Sequence, residues 1–480
     1  MYTAPPKRPR TSSTFPQAVF VSVDSSHQYT SAGTPPDATS PDAHHRHIGV
    51  FSGTLLIVAN MVGVGVFTSG GYMLAALKSP SAVLLAWVVG GVAAISGALC
   101  YAELGAAFPR NGGEYQLLSR IYHPAIGFIA GWVALFVGFS APLALYGHVF
   151  GKYLSELIPQ LNPLATGIAL ILFFATLHSL HVWGGTGLHN VITVGKIALI
   201  AAFAMAALFH GEPRLLTEGD TPIGPAVFQS SFAVQLVYVS FAYSGWNAAA
   251  YLLAEFKHPQ RDVPRVVLIG TLIVMALYVA LNAAFLTAAP AAEIAGKEDV
   301  ARIAAASLFG PVGGRLVTAL IAGGLLSTAS ANLISGPRVY EAMGREYEAL
   351  RFLTVRRAGG GPILAIALQA LAAIGLLVSA SFETLSSYIG ITLALSSTAT
   401  VGGLFVLRIR EPATPRPYRT WGYPVTPLVF LALEWWMIAY TLMERPTAAA
   451  WTAVTLTSGL LVYFLVRRAA PDRHVGRAST

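Results

Sequence analysis

The chain has 480 residues, 55% of them apolar and only 11% charged, with a formal net charge of +8. About 25% charged residues is usual for a soluble domain, so a mean hydropathy of +0.61 excludes a string of water-exposed domains and points to one membrane-embedded body. The basic excess is no nucleic-acid face, since Lys and Arg sit between apolar segments, and the single cysteine, Cys100, allows no internal disulfide and no zinc pattern.

Residues 1–47 are rich in Ser, Thr, Pro and His without helical period, and are expected to be a disordered tail. Its apolar patch, 18–23, is too short for a signal-peptide core of ~7–15 residues. Apolar runs then follow at 50–77, 82–107, 126–150, 164–180, 191–209 and 227–254. Further runs lie at 266–288, 312–339, 363–380, 385–407, 428–443 and 451–466. A bilayer core takes ~20 apolar residues in helix, and continuous runs exclude barrel strands, which alternate in polarity over ~10 residues. The sequence therefore predicts an all-α integral membrane protein of twelve transmembrane helices. The charged stretch 291–308 reads as an exposed loop, and 468–480 as a C-terminal tail.

Of the 30 Lys and Arg residues, only Lys78, Lys152, Arg214, Lys297, Arg302, Arg315 and Arg445 fall in connections on the side opposite the N-terminal tail. Lys196 lies inside a span. The positive-inside bias predicts both termini in the cytoplasm, which an even number of spans requires.

The first span contains Asn60-Met61-Val62-Gly63-Val64-Gly65-Val66-Phe67. Each glycine weakens a helix by ~1 kcal/mol relative to Ala, and freed backbone groups survive in lipid only where they line a protein cavity. Close helix packing is the alternative for small residues. The sixth span repeats the pattern in Phe241-Ala242-Tyr243-Ser244-Gly245-Trp246-Asn247. An odd number of spans per half gives the halves opposite orientations, and interrupted helices at matching positions point to a transporter's midplane site. Half-helix N-termini suit a carboxylate and half-helix carbonyls suit an ammonium. A zwitterionic amino acid carries both.

At these residues the chain resembles the amino acid–polyamine–organocation superfamily, and most closely its L-type amino-acid transporter-like permeases. Gly63-Val64-Gly65-Val66-Phe67 resembles the unwound first helix; Tyr101-Ala102-Glu103-Leu104-Gly105 and Phe108-Pro109-Arg110-Asn111-Gly112-Gly113-Glu114-Tyr115 resemble the exit of the second. Phe241 to Asn247 with Glu255-Phe256-Lys257-His258-Pro259 resembles the sixth, and Gly336-Pro337-Arg338-Val339-Tyr340 and Arg416-Pro417-Tyr418 through Gly422-Tyr423-Pro424 resemble later loops.

The resemblance implies a five-plus-five inverted-repeat core of the leucine-transporter type, repeats 48–210 and 226–408, plus two extra helices in 425–467. It implies a multi-pass amino-acid permease of the cytoplasmic membrane, working by alternating access as proton-coupled symport or exchange; with no obvious carboxylate in the pocket to pair a cationic side chain and no Arg for an anionic one, neutral amino acids are the expected substrates. It places the substrate carboxylate on the N–H groups of Val64 and Gly65, beside Gly63. The amine then meets the carbonyls of Met61, Phe241 and Ser244, beside Gly245. Phe241 covers the substrate as a gate, and Trp246 and Asn247 match positions near the pocket or its support. The family often has Ser where this chain has Val64, which keeps the backbone donor without the hydroxyl. Some human members pair by disulfide with a glycoprotein subunit; residues 151–163 contain no cysteine, so no such partner is expected. No cofactor, metal or nucleic acid is expected, and the reading is of a permease and not an enzyme.

Lys196 in the fifth span admits two readings, snorkelling to headgroups or a functional intramembrane charge. Related permeases resemble it in a Lys between the first and eighth helices, which implies a coupling or gating role, with a proton as the candidate ion. Glu434, beside Trp435 and Trp436, is read as a packing or dimer contact. Glu103 and Glu255 are read as structural ion pairs. His178 and His181 have no third ligand and are read as interfacial. A polyamine, ethanolamine or cationic amino acid is the alternative substrate. A channel would need a ring of charge or carbonyls and a membrane enzyme a cluster of catalytic groups; the sequence offers neither.

Overall fold

The computed structural model describes residues 48–108, 113–180, 186–217, 227–247, 256–357 and 360–468. The predicted N-terminal tail, residues 469–480 of the predicted C-terminal tail, Glu255 and His181 lie outside them. Every named element among the described residues is helical. The first apolar run makes two helices, α1 (Val50–Met61) and α2 (Gly65–Leu77), bent by 43° at the glycines between them. Helix α3 (Pro80–Ala107) starts where Ser79 Oγ accepts the N–H of Ala82 and Pro80 occupies the first turn, a serine cap followed by a residue whose missing N–H costs nothing there.

A short helix, α4 (Gly113–Ile121), leads to α5 (Pro124–Val133), a π-helical turn at Ala134–Ser140, and α6 (Ala141–Leu157), together one long rod. Helices α7 (Pro163–Leu180) and α8 (Thr186–His210) follow. The sixth run is helical only as α9 (Ser230–Tyr243), which stops well short of the predicted 254; Ser244 and Gly245 leave helical geometry, Gly245 with φ 103°. Residues 248–255 lie outside the description.

Helix α10 (Pro259–Ala288) is followed by α11 (Ala291–Ile294) and α12 (Val300–Glu346), the latter interrupted at Gly310, whose φ of 72° precedes Pro311. The stretch read as an exposed loop is therefore largely helical, with Val300, Ala301, Ala304 and Ala305 buried. Those positions recur at helical spacing; the charges around them hid the pattern. The chain ends in α13 (Ile363–Ser379), α14 (Phe382–Arg410), α15 (Val425–Glu444) and α16 (Pro446–Arg468).

Eight of the described helices are individually long and apolar enough to cross a bilayer, and the bent pair α1–α2 makes up to nine; the apolar cores of α8, α9 and α13 are shorter. One large core joins α1, α2, α3, α6, α9, α10 and α14, so the two broken segments lie inside a packed body instead of on its rim.

Candidate functional site

The two interruptions meet. At Gly65 a side chain has no room: a Cβ there would lie 2.9 Å from Ala242 Cβ and 3.2 Å from Phe241 Cδ1. At Gly245 the left-handed backbone conformation suits glycine, and a Cβ would lie 2.8 Å from the carbonyl oxygen of Asn60. Each break is thus pressed against the other, backbone to backbone. Met61, Gly63, Val64, Gly65, Phe241, Ser244 and Gly245 fall in these two contacting segments.

The backbone groups around the breaks are only partly satisfied by the helices. The first N–H groups of a helix have no partner behind them; at the start of α2, Phe67 N–H turns back to the Val64 carbonyl at 3.1 Å. Ser244 N–H closes α9 on the carbonyl of Phe241 at 3.0 Å. Met61 is more heavily engaged. Its carbonyl accepts the N–H of Gly63 at 2.8 Å and lies 2.5 Å from the hydroxyl of Tyr278. The same hydroxyl lies 3.1 Å from the carbonyl of Ala242, so one buried phenol on α10 ties the last turn of α1 to the last turn of α9. Sequence reading missed Tyr278. A lone tyrosine in an apolar helix reads as core, and only its position opposite both breaks reveals the bridge.

Trp246 and Asn247 reach from the break to the groups around it. The Trp246 ring packs edge-on against Tyr101 at 4.7 Å and against Phe430 at 6.2 Å. Asn247 Nδ2 donates to Glu114 Oε1 at 3.1 Å. Glu114 also receives the hydroxyl of Tyr101 at 2.6 Å and that of Ser396, so three donors from α3, α14 and the break hold one buried carboxyl group. Glu114 lay in a motif noticed in the sequence, but its partners come from segments 13 to 282 residues away and no spacing rule finds them.

Lys196 does not snorkel. Its Nζ donates to Thr328 Oγ1 at 3.0 Å, and Thr328 passes its own proton to the Gly324 carbonyl at 3.1 Å. The amine sits in the wall of a cavity of about 90 Å³ whose other wall includes Val62, Gly63 and Phe67. This places it between the first break and α12, the eighth apolar run. No carboxylate among the described residues pairs with it.

The two ends of the bundle carry ion pairs. At one, Glu103 receives two hydrogen bonds from Arg408, at 3.0 and 2.6 Å, and the N–H of Thr420 at 2.7 Å, the structural role expected of it. At the other, Glu298 accepts Tyr72 at 2.6 Å and Lys152 at 2.9 Å, with His148 at 3.4 Å. Burial alone would raise the Glu298 carboxyl, but hydrogen bonds from His148, Tyr72 and Lys152, with the charge of Lys152, bring it down to about 2. Nearby, a Cβ on Gly71 would lie 2.0 Å from the Lys297 carbonyl, and Gly296 N–H donates to the Gly71 carbonyl at 2.8 Å. The far end of α2 is therefore clasped by the segment that precedes α12. His178 bonds Ser330 at 2.9 Å, and no group of three metal-ligating side chains occurs among the described residues.

Residues 48–466 match the amino acid permease family. The chain is 27% identical to a serine/threonine exchanger of Bacillus subtilis (strain 168) over 436 residues, covering 90% of this chain and 99% of that one. It is 29% identical over 468 residues to a large neutral amino acids transporter small subunit 2 of Mus musculus, covering 91% and 86%. A b(0,+)-type amino acid transporter 1 of Homo sapiens is 27% identical over 437 residues, 88% of either chain.

Proposed function

The chain belongs to the amino acid permease family and is a multi-pass membrane transporter of amino acids, not an enzyme; from that premise we propose that it moves neutral amino acids by alternating access, as proton-coupled symport or exchange. The observation that carries the proposal is the mutual contact of the two breaks, Gly65 on Ala242 and Gly245 on Asn60. It puts the free N–H groups of one half-helix beside the carbonyl end of another, and this pair of opposite partial charges suits a zwitterion.

With the bent pair and the eight long apolar helices, we count the three shorter apolar helices as spans too, for a reading of twelve. We read them as two inverted sets of five, 48–210 and 226–408, followed by two more in 425–467, with both termini in the cytoplasm and the protein in the cytoplasmic membrane. The carboxylate falls to Val64 and Gly65 N–H. Because Met61 already holds two donors, the amine falls first to the carbonyls of Phe241 and Ser244, with Phe241 as the covering aromatic. Lys196, facing Gly63 across a cavity and bonded to α12, is read as the coupling or gating group that reports the position of the first break. A neutral substrate fits better than a cationic one, since Glu114, the carboxyl group joined to the break through Asn247, is held by three donors.

Uptake of a labelled neutral amino acid into proteoliposomes, competed by a panel of unlabelled amino acids, tests the reading. Competition by neutral members is expected. Competition by cationic amino acids or polyamines alone would overturn the substrate class.

A further inference from the structure

Glu434 lies at the middle of α15 and is only 7% exposed, turned into the helix bundle. It faces a cavity of about 30 Å³ between α3, α9 and α15, whose wall includes Ser240, Tyr243 and Trp246. Its Oε2 has no hydrogen-bond partner. α3 offers only glycine, alanine and valine to this wall, and α14 and α16, which also pack on α15, put no side chain into it. Among the described residues Tyr243 is therefore the one other titratable group there, and its hydroxyl donates to the Trp87 carbonyl at 3.1 Å. Among the described residues no lysine, arginine or histidine lines the cavity.

An isolated carboxylate in such surroundings is far costlier than the neutral acid. A buried ionisable group inside a transmembrane helix is expensive enough to be retained for a purpose. The cavity exceeds the ~10–15 Å³ that a water molecule needs, so a hydrated path to the carboxyl group is sterically open. Part of its wall is the sixth break: Ser240, Tyr243 and Trp246 belong to the end of α9 and the break itself.

We propose that Glu434 is a proton-binding site, separate from Lys196, that the movement of the sixth break opens and closes. With α9 packed over it, the carboxylate has taken a proton from solvent water and is held as the neutral acid. When the break shifts and water reaches the cavity, the O–H bond breaks and the proton returns to solvent. A proton bound more tightly in one conformation biases the transport equilibrium toward that conformation, and the effect is reciprocal. This deepens the transport reading above and rests on it.

The test uses the full-length protein in liposomes and two readouts. Infrared difference spectra between acidic and alkaline buffer report protonated carboxyl groups without any substrate, and uptake of a neutral amino acid is followed over the same pH range. In E434Q a titrating carbonyl band of the wild type is lost and the pH profile of uptake flattens; in E434D the band persists at a shifted position. A wild-type band and pH profile retained in E434Q would overturn the proposal. So would a wild type without any titrating carboxyl band, which decides the matter even where E434Q fails to fold. Absence of uptake of every amino acid by the wild type would instead defeat the transport reading, while the infrared band still decides the proton site.

Discussion

The two breaks touch each other, yet the ground behind them differs. Behind the first lies a cavity of about 90 Å³ that is apolar except for Lys196 and Thr328, and the cation there has a hydrogen-bond acceptor. Behind the sixth lies a cavity of about 30 Å³ with a serine, a tyrosine, a tryptophan and a carboxyl group that has an unpartnered oxygen. Buried polar groups are normally satisfied. The contrast teaches that one flank fixes its ionisable group in place, while the other leaves its own able to change state, so the two should respond differently to pH.

The largest effect comes from erasing the contact on which both flanks depend. G245A must adopt φ 103° and place a Cβ 2.8 Å from the Asn60 oxygen; overpacking costs ~1–3 kcal/mol, and near-complete loss of initial uptake is expected. G323A, where a Cβ meets nothing within 4 Å, should keep wild-type uptake. Next is K196M. It removes the link from the first flank to Thr328 and is expected to lower uptake by about tenfold, roughly 1.4 kcal/mol, with an altered pH dependence. Normal transport with an unchanged pH profile would break the comparison.

Y278F leaves both flanks intact but cuts the bridge between the breaks. One hydrogen bond is worth ~1 kcal/mol, so uptake at low substrate concentration should fall about fivefold. The freed lone pair on Met61 makes the change readable mainly in KM. Smallest is E298Q, which lines neither cavity. The Glu298 carboxyl group lies at about 2 against a usual 4.5, a lowered value, so its stabilisation is complete above the usual value and is lost as pH falls from there through about 2. Thermal unfolding of E298Q should therefore be offset from wild type by a constant amount between pH 5 and 9. An offset that varied over that range would implicate the Glu298 cluster in pH sensing and blur the contrast between the two flanks.

Much of this was legible in the chain itself. Gly63, Gly65 and Gly245 announce the breaks because glycine in mid-span works against a helix, and the repetition of the pattern five spans later gives it meaning. Lys196 and Glu434 stand out because charge is rare in apolar runs. What each faces was not legible. Spacing rules reach three or four residues along a helix, whereas Lys196 finds Thr328 132 residues away and Tyr278 reaches Met61 across 217. The helical stretch before Gly310 eluded the sequence for a related reason: Arg302 pairs with Asp299 beside it and with Glu156 on α6, so its charge does not mark exposure as an isolated one would.

The central claim is that the two contacting breaks form a saturable amino-acid site exposed alternately to either side. Counterflow tests it most directly: liposomes carrying the protein are preloaded with an unlabelled neutral amino acid and offered a trace of the labelled one outside. The account predicts transient, saturable accumulation of label that preloading makes possible and that G245A abolishes. Flux that fails to saturate, or that ignores the preloaded amino acid, would contradict it.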